Sequence, residues 1–130
     1  VVTVQMVLSE RTRDLLGADD LRKMKKDAIL VNTSRGPLIN EAALVQALKE
    51  NWIAGAALDV FDQEPLPNAH PLRRLPNTLL TPHIGYSTEA TYKVFIPETV
   101  ENIVAFLAGK PIRVMNPKAQ ADRSQAKYLD

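Results

Sequence analysis

Short β-branched and apolar runs recur along the 130-residue chain, separated by helical stripes or turns. Val1-Val2-Thr3-Val4-Gln5-Met6-Val7 reads as a strand flanked on both sides. The residues 28–33, 55–60 and 78–81 predict a second, third and fourth strand. Between the first two, Asp19 is placed to cap a short helix through Leu21 and Met24, and the basic run Lys23, Lys25 and Lys26 suits its carboxyl end. Between the second and third, Asn40 caps a helix whose Ala43, Leu44, Ala47 and Leu48 share one stripe. The stretch from Asp62 to Pro76 carries Pro65, Pro67, Pro71 and Pro76 and reads as a loop. A long helix capped by Ser87 or Thr88 follows Pro82, with Ile96, Val100, Ile103, Val104 and Leu107 on one face. Pro97 is expected to kink it or release one hydrogen bond, and Gly109-Lys110-Pro111 to end it. This order dictates an α/β fold, with parallel strands and helices over both faces of the sheet.

Composition narrows the function classes. Lys and Arg number 16 against 15 Asp and Glu, so the net charge of +1 exerts no long-range pull on nucleic acid or anionic lipid. The chain has no basic tract, no platform of aromatic residues for stacked bases and no apolar run of membrane-spanning length. Neither nucleic acid nor a membrane is therefore an expected partner. The absence of cysteine excludes disulfides, a thiolate nucleophile and a cysteine-type zinc site, and is compatible with a cytoplasmic protein. Two histidines without a close carboxylate pattern do not make a metal site. A hydrolase nucleophile elbow, a Gly-rich lysine loop and a zinc-protease His pair are missing. Gly36, Gly55 and Gly85 are too scattered to form a dinucleotide fingerprint.

In parallel α/β sheets, ligands sit beyond the carboxyl ends of the strands. Four polar residues fall at or just after such ends: Arg35, Asp59, Glu64 and His83. Arg35, between Asn32-Thr33-Ser34 and Gly36-Pro37, offers a planar fork that matches a carboxylate, or is a surface arginine in a loop. Asp59 interrupts an apolar run, so it needs hydrogen-bond donors: a cofactor carboxamide, or backbone amides and a nearby hydroxyl. Glu64 precedes Pro65 and is biased toward extended backbone; it is a site acid or an exposed loop acid. His83, where a strand stops and a helix is about to begin, can take or give a proton, and a carboxylate beside such a ring favours the imidazolium; the alternative is a structural histidine. His70, between Ala69 and Pro71, reads as solvated or loop-packing.

Leu30-Val31-Asn32-Thr33-Ser34-Arg35-Gly36, Ala56-Ala57-Leu58-Asp59-Val60-Phe61 with Glu64-Pro65, and Thr81-Pro82-His83-Ile84-Gly85 together carry a resemblance. In order and spacing they are similar to the D-isomer-specific 2-hydroxyacid dehydrogenases, from about Val1 to Pro117. The resemblance implies a partial Rossmann-like parallel sheet with flanking helices, the second half of a dinucleotide-binding domain. It implies residues 1–111 as the C-terminal part of an NAD(P)-binding domain, and 112–130 as a segment returning toward a substrate domain, with a polar tail. The glycine-rich phosphate loop and the front of the substrate domain are expected upstream of Val1. The implied activity is hydride transfer between NAD, with NADP not excluded, and a small 2-hydroxy or 2-oxo acid, in a homodimer. By the same resemblance Arg35 binds the substrate carboxylate, His83 moves the proton at the C2 oxygen and Glu64 partners His83. Asp59 binds the nicotinamide carboxamide, and Met6, Val7, Thr33, Ser34, Arg35, His83 and Gly85 border the cofactor. Gln5 and Val7 stand where many relatives have histidine and proline, Pro37 stands where glycine is common, and Tyr86 follows Gly85 at the edge of the site. The competing readings are a dinucleotide-sensing or corepressor-like module and a structural fragment without activity.

Overall fold

The computed structural model describes residues 1–116, which form two compact units, Val1–Tyr86 and a second that begins at Ser87. The first holds a four-stranded parallel sheet: β1 (Val2–Val4), β2 (Ile29–Asn32), β3 (Gly55–Leu58) and β4 (Thr78–Leu80), in spatial order β1-β2-β3-β4. Helix α1 (Ala18–Lys23) links β1 to β2 and α2 (Glu41–Lys49) links β2 to β3. The connection from β3 to β4 has only one 3-10 turn, Pro71–Arg74.

Side chains on successive strand residues alternate between faces. Leu30 and Ala56 point one way with Val4, Asn32 and Leu58, and all are buried. Val4, Leu30, Ala56 and Leu58 form a single core with Leu21 of α1, with Leu44, Ala47 and Leu48 of α2, and with Leu38, Ile53, Phe61, Leu66 and Leu72. The apolar stripe read from α2 is thus its buried face. The opposite sheet face carries Thr3, Val31, Ala57 and Leu79, paired in one row, with Leu79 67% exposed. The expectation of helices over both faces is therefore not met within Val1–Tyr86, where α1 and α2 pack into one core. The reason is topological: each crossover steps to the next strand in the same direction, and a constant hand then puts every connection on one side.

Local chemistry also corrects element bounds. β1 ends at Val4 rather than Val7, and Val2 and Thr3 are exposed rather than covered. Past Val4 the chain is gathered into a turn, with the Thr12 hydroxyl donating to the Val7 carbonyl at 2.7 Å. Gly17, not Asp19, is the cap of α1: the Asp20 carboxylate reaches back to accept from the Gly17 N–H at 3.0 Å. Asn40 caps α2 as expected, its side-chain oxygen accepting from the Ala43 N–H at 2.9 Å.

The second unit contains α3 (Glu89–Leu107), capped by Thr88 and helical through Pro97. Gly109, at φ 72°, ends it, and the Lys110 N–H returns to the Ala105 carbonyl. Ile96, Val100, Ile103, Val104 and Leu107 are each more than half exposed. Residues 112–116 form no helix or strand, and the rest of the expected returning segment and polar tail lies outside the described residues.

Candidate active site

Three consecutive strands deliver the candidate residues beyond their carboxyl ends. At the end of β2, Asn32 is 1% exposed, and its side chain folds the chain back on itself. Its carbonyl oxygen accepts from the Ser34 N–H at 3.1 Å, and its amide donates to the Arg35 carbonyl at 2.8 Å. The Ser34 hydroxyl donates to the Val4 carbonyl at 2.9 Å, tying this turn to the end of β1. Arg35 is exposed, and one of its guanidinium nitrogens donates to the Ser34 carbonyl at 2.6 Å. Gly36 then passes against the chain after β3: a Cβ there would lie 2.1 Å from the Phe61 carbonyl carbon. Only glycine allows this approach, which carries Arg35 alongside the segment bearing Glu64.

After β3, Asp59 is 5% exposed and its carboxylate is well supplied with donors. The Thr81 hydroxyl and the Ile84 N–H donate to Oδ1, the latter at 3.0 Å, and the Gly85 N–H donates to Oδ2 at 2.8 Å. Of the two readings open from sequence, backbone amides and a hydroxyl are the donors present. Burial pushes the Asp59 carboxyl up, but these hydrogen bonds and the nearby His83 outweigh it, so its pKa lies below the ordinary 3.8.

Glu64 bridges two segments. Its Oε1 accepts from the Phe61 N–H at 2.9 Å, and its Oε2 lies 2.6 Å from His83 Nδ1. Burial raises its pKa, while the bonds from His83 and Phe61 and the charges of His83 and Arg35 lower it; the net value lies below the ordinary 4.5. The residues alone left Glu64 as a site acid or a loop acid and His83 as a proton carrier or a structural histidine; the structure brings the two into contact. His83 has φ 55°, in the left-handed region, and Tyr86 meets its ring edge-on with centroids 6.3 Å apart. An open cleft of about 560 Å³ lies against the pair, walled by Phe61, Pro65, Leu66, Leu80 and Pro82. Arg73 also lines it, fixed by donation to the Leu66 and Pro67 carbonyls.

Met6, Val7 and Thr33 are exposed past the ends of β1 and β2, with Gln5 reaching Thr33 at 3.4 Å. His70 ties its loop to α2: Nδ1 accepts from the Leu72 N–H, and Nε2 lies 2.9 Å from Glu41. Asn32, Thr81 and Arg73 were not singled out from sequence. An Asn two residues before Ser at a strand end is the one local signal that pointed to Asn32. Among the described residues no group of three or more His, Asp or Glu could hold a metal ion. No described helix is long and apolar enough to cross a membrane.

Comparison with known proteins agrees with this geometry. Residues 1–85 match the family model for the D-isomer specific 2-hydroxyacid dehydrogenase NAD binding domain. The chain is 47% identical over 110 residues to glyoxylate reductase of Thermofilum pendens, covering 85% of this chain and 32% of the relative. It is 43% identical over 117 residues to glycerate dehydrogenase of Methylorubrum extorquens, covering 88% and 37%. Among solved structures, a D-isomer specific 2-hydroxyacid dehydrogenase from Xanthobacter autotrophicus Py2, in complex with NADPH and MES, superposes with a TM-score of 0.65. That structure is 41% identical, with 86% of this chain and 46% of the other covered. The chain thus spans about a third of the length of the curated relatives it matches.

Proposed function

This chain belongs to the D-isomer specific 2-hydroxyacid dehydrogenase family, and on that premise we propose that it serves NAD(P)-dependent interconversion of a small 2-oxo acid and its D-2-hydroxy acid. The observation that carries the proposal is the 2.6 Å contact of Glu64 with His83 Nδ1, beyond the strand ends and within the field of Arg35. On this reading residues 1–111 supply the C-terminal part of the cofactor domain, and the chain from 112 returns toward a substrate domain.

The residues present suit a nicotinamide group. A carboxylate has about four lone-pair sites, and the three donors on Asp59 leave one of them, on Oδ2, for a carboxamide N–H. Thr33, Ser34, Met6, Val7, Arg35, His83 and Gly85 border the same mouth in this proposal. The nicotinamide ring, when bound, accepts or supplies the hydride at the C2 carbon of the substrate. His83 manages the proton: with Nδ1 directed to Glu64, Nε2 is left to face the C2 oxygen. In oxidation Nε2 takes the hydroxyl proton, and in reduction it returns one to the developing alkoxide. Glu64, held ionised, accepts from Nδ1 and orients the ring. Arg35 grips the substrate carboxylate and fixes C2 for transfer, removing part of the entropic barrier. A homodimer in the cytoplasm is the accompanying expectation.

The test is a panel of glyoxylate, hydroxypyruvate and larger 2-oxo acids with NADH and NADPH, using the full-length polypeptide. His83→Ala is expected to lower kcat by about 10² to 10⁴-fold while leaving cofactor affinity nearly unchanged. No turnover by the wild type, or equal losses in kcat and cofactor binding, refutes the proposal. Binding of NAD(P) without turnover would instead favour the sensing module.

A further inference from the structure

Asp59 is nearly buried, and all three donors on its carboxylate come from the segment 81–85. His83 lies inside that segment at φ 55°, a backbone state that residues with a Cβ seldom adopt. A turn built around such a residue relaxes unless its neighbours are held. The Thr81 hydroxyl anchors it on the strand side, and the Ile84 and Gly85 N–H groups anchor it on the other. Gly85 sets how closely the anchor fits, since a Cβ at that residue would lie 3.0 Å from Asp59 Oδ2. The same segment presents His83 Nδ1 to Glu64.

We infer that Asp59 is a positioning residue for the proton-transfer histidine: its carboxylate clamps the 81–85 turn in the left-handed form that aims His83 at Glu64. Three of its four acceptor sites serve that clamp, so contact with a cofactor is the smaller part of its work. The inference rests on the proposed function for its catalytic consequence and on the geometry alone for its structural one.

Two variants of the full-length enzyme test it. Asp59→Asn keeps the shape but replaces one acceptor oxygen by a donor facing an N–H. Thr81→Val, in the wall of the cleft, removes one anchor while leaving the Asp59 carboxylate itself intact. Asp59→Asn is expected to lower kcat by about 10- to 100-fold, with cofactor Kd within about threefold of wild type. Thr81→Val is expected to show the same split at smaller size. The double variant should lose less than the product of the two, because both act on one turn. A crystal structure of Asp59→Asn should show His83 out of the left-handed region and its contact with Glu64 broken. The inference is overturned if Asp59→Asn raises cofactor Kd tenfold with kcat retained, or if its His83 turn is unchanged. Should Asp59→Asn fail to fold, a Thr81→Val variant with wild-type kcat overturns it as well. If the wild type turns over no 2-oxo acid, the proposed function fails, while the crystal structure still decides the role of Asp59.

Discussion

Replacing Gly36 by Ala should damage the site and the fold together. The added Cβ would sit 2.1 Å from the Phe61 carbonyl carbon, 2.3 Å from its oxygen and 2.5 Å from the Asp62 nitrogen. Ordinary contact begins at 3.4 Å, so the two backbones must separate by at least 3.4 − 2.1 = 1.3 Å. No flexible side-chain end is available to absorb this, because the opposing atoms are main chain. Phe61 is 6% exposed and belongs to the core, so the shift also disturbs packing. Overpacking of this kind costs about 3 kcal/mol. The displaced residues carry Glu64, whose Oε1 depends on the Phe61 N–H. A misplacement of about 1 Å in a catalytic group lowers turnover roughly a hundredfold. Urea denaturation followed by circular dichroism reads the first effect, and kcat/KM for the preferred 2-oxo acid reads the second. A Gly36→Ala variant within about 0.5 kcal/mol of wild type and of normal activity would refute the close-approach argument.

Two further outcomes follow from the hydrogen bonds. Asn32→Ala should destabilise the protein by roughly 3 kcal/mol, because it leaves the Ser34 N–H and the Arg35 carbonyl without their partner; thermal denaturation checks this, and a raised KM for the substrate should accompany it. Acid should selectively weaken the fold through Asp59 and Glu64. Their native pKa values lie below the ordinary 3.8 and 4.5, so their stabilisation is fully present above those values and is lost as pH falls below them. Denaturation measured between about pH 3 and 6 should show stability falling on the acid side, with a shallower fall in Glu64→Gln.

The alternation of strands and helices was legible because each element carries a strong local signal. The stripe Ala43, Leu44, Ala47 and Leu48 and the cap Asn40 both read correctly, since each is set by its immediate neighbours. The end of β1 did not, because a parallel strand extends only as far as its partner, and the register stops at Val4 opposite Asn32. The distribution of helices over the faces depends on the spatial order of strands, which no short window contains. At the site, the residue types before and after Arg35, Asp59 and His83 were informative, and Glu64 and His83 meet across 19 residues of sequence. Which amides and hydroxyl would supply Asp59, and the left-handed backbone of His83, were not foreseeable, since the donors come from a segment some 25 residues further along the chain.

The sequential order of β2, β3 and β4 has a consequence for how such chemistry can diversify. Neighbouring strands in a sheet are spaced about 4.8 Å apart by main-chain hydrogen bonding. The segments that carry Arg35, then Asp59 and Glu64, then His83 therefore start from adjacent rungs of a fixed lattice. The lattice fixes only where these segments begin; the close approach at Gly36 and the donors on Asp59 then settle where Arg35 and His83 come to lie. The connections at the opposite, amino ends of the strands are then free to vary in length and chemistry while the groups at the mouth keep their pitch.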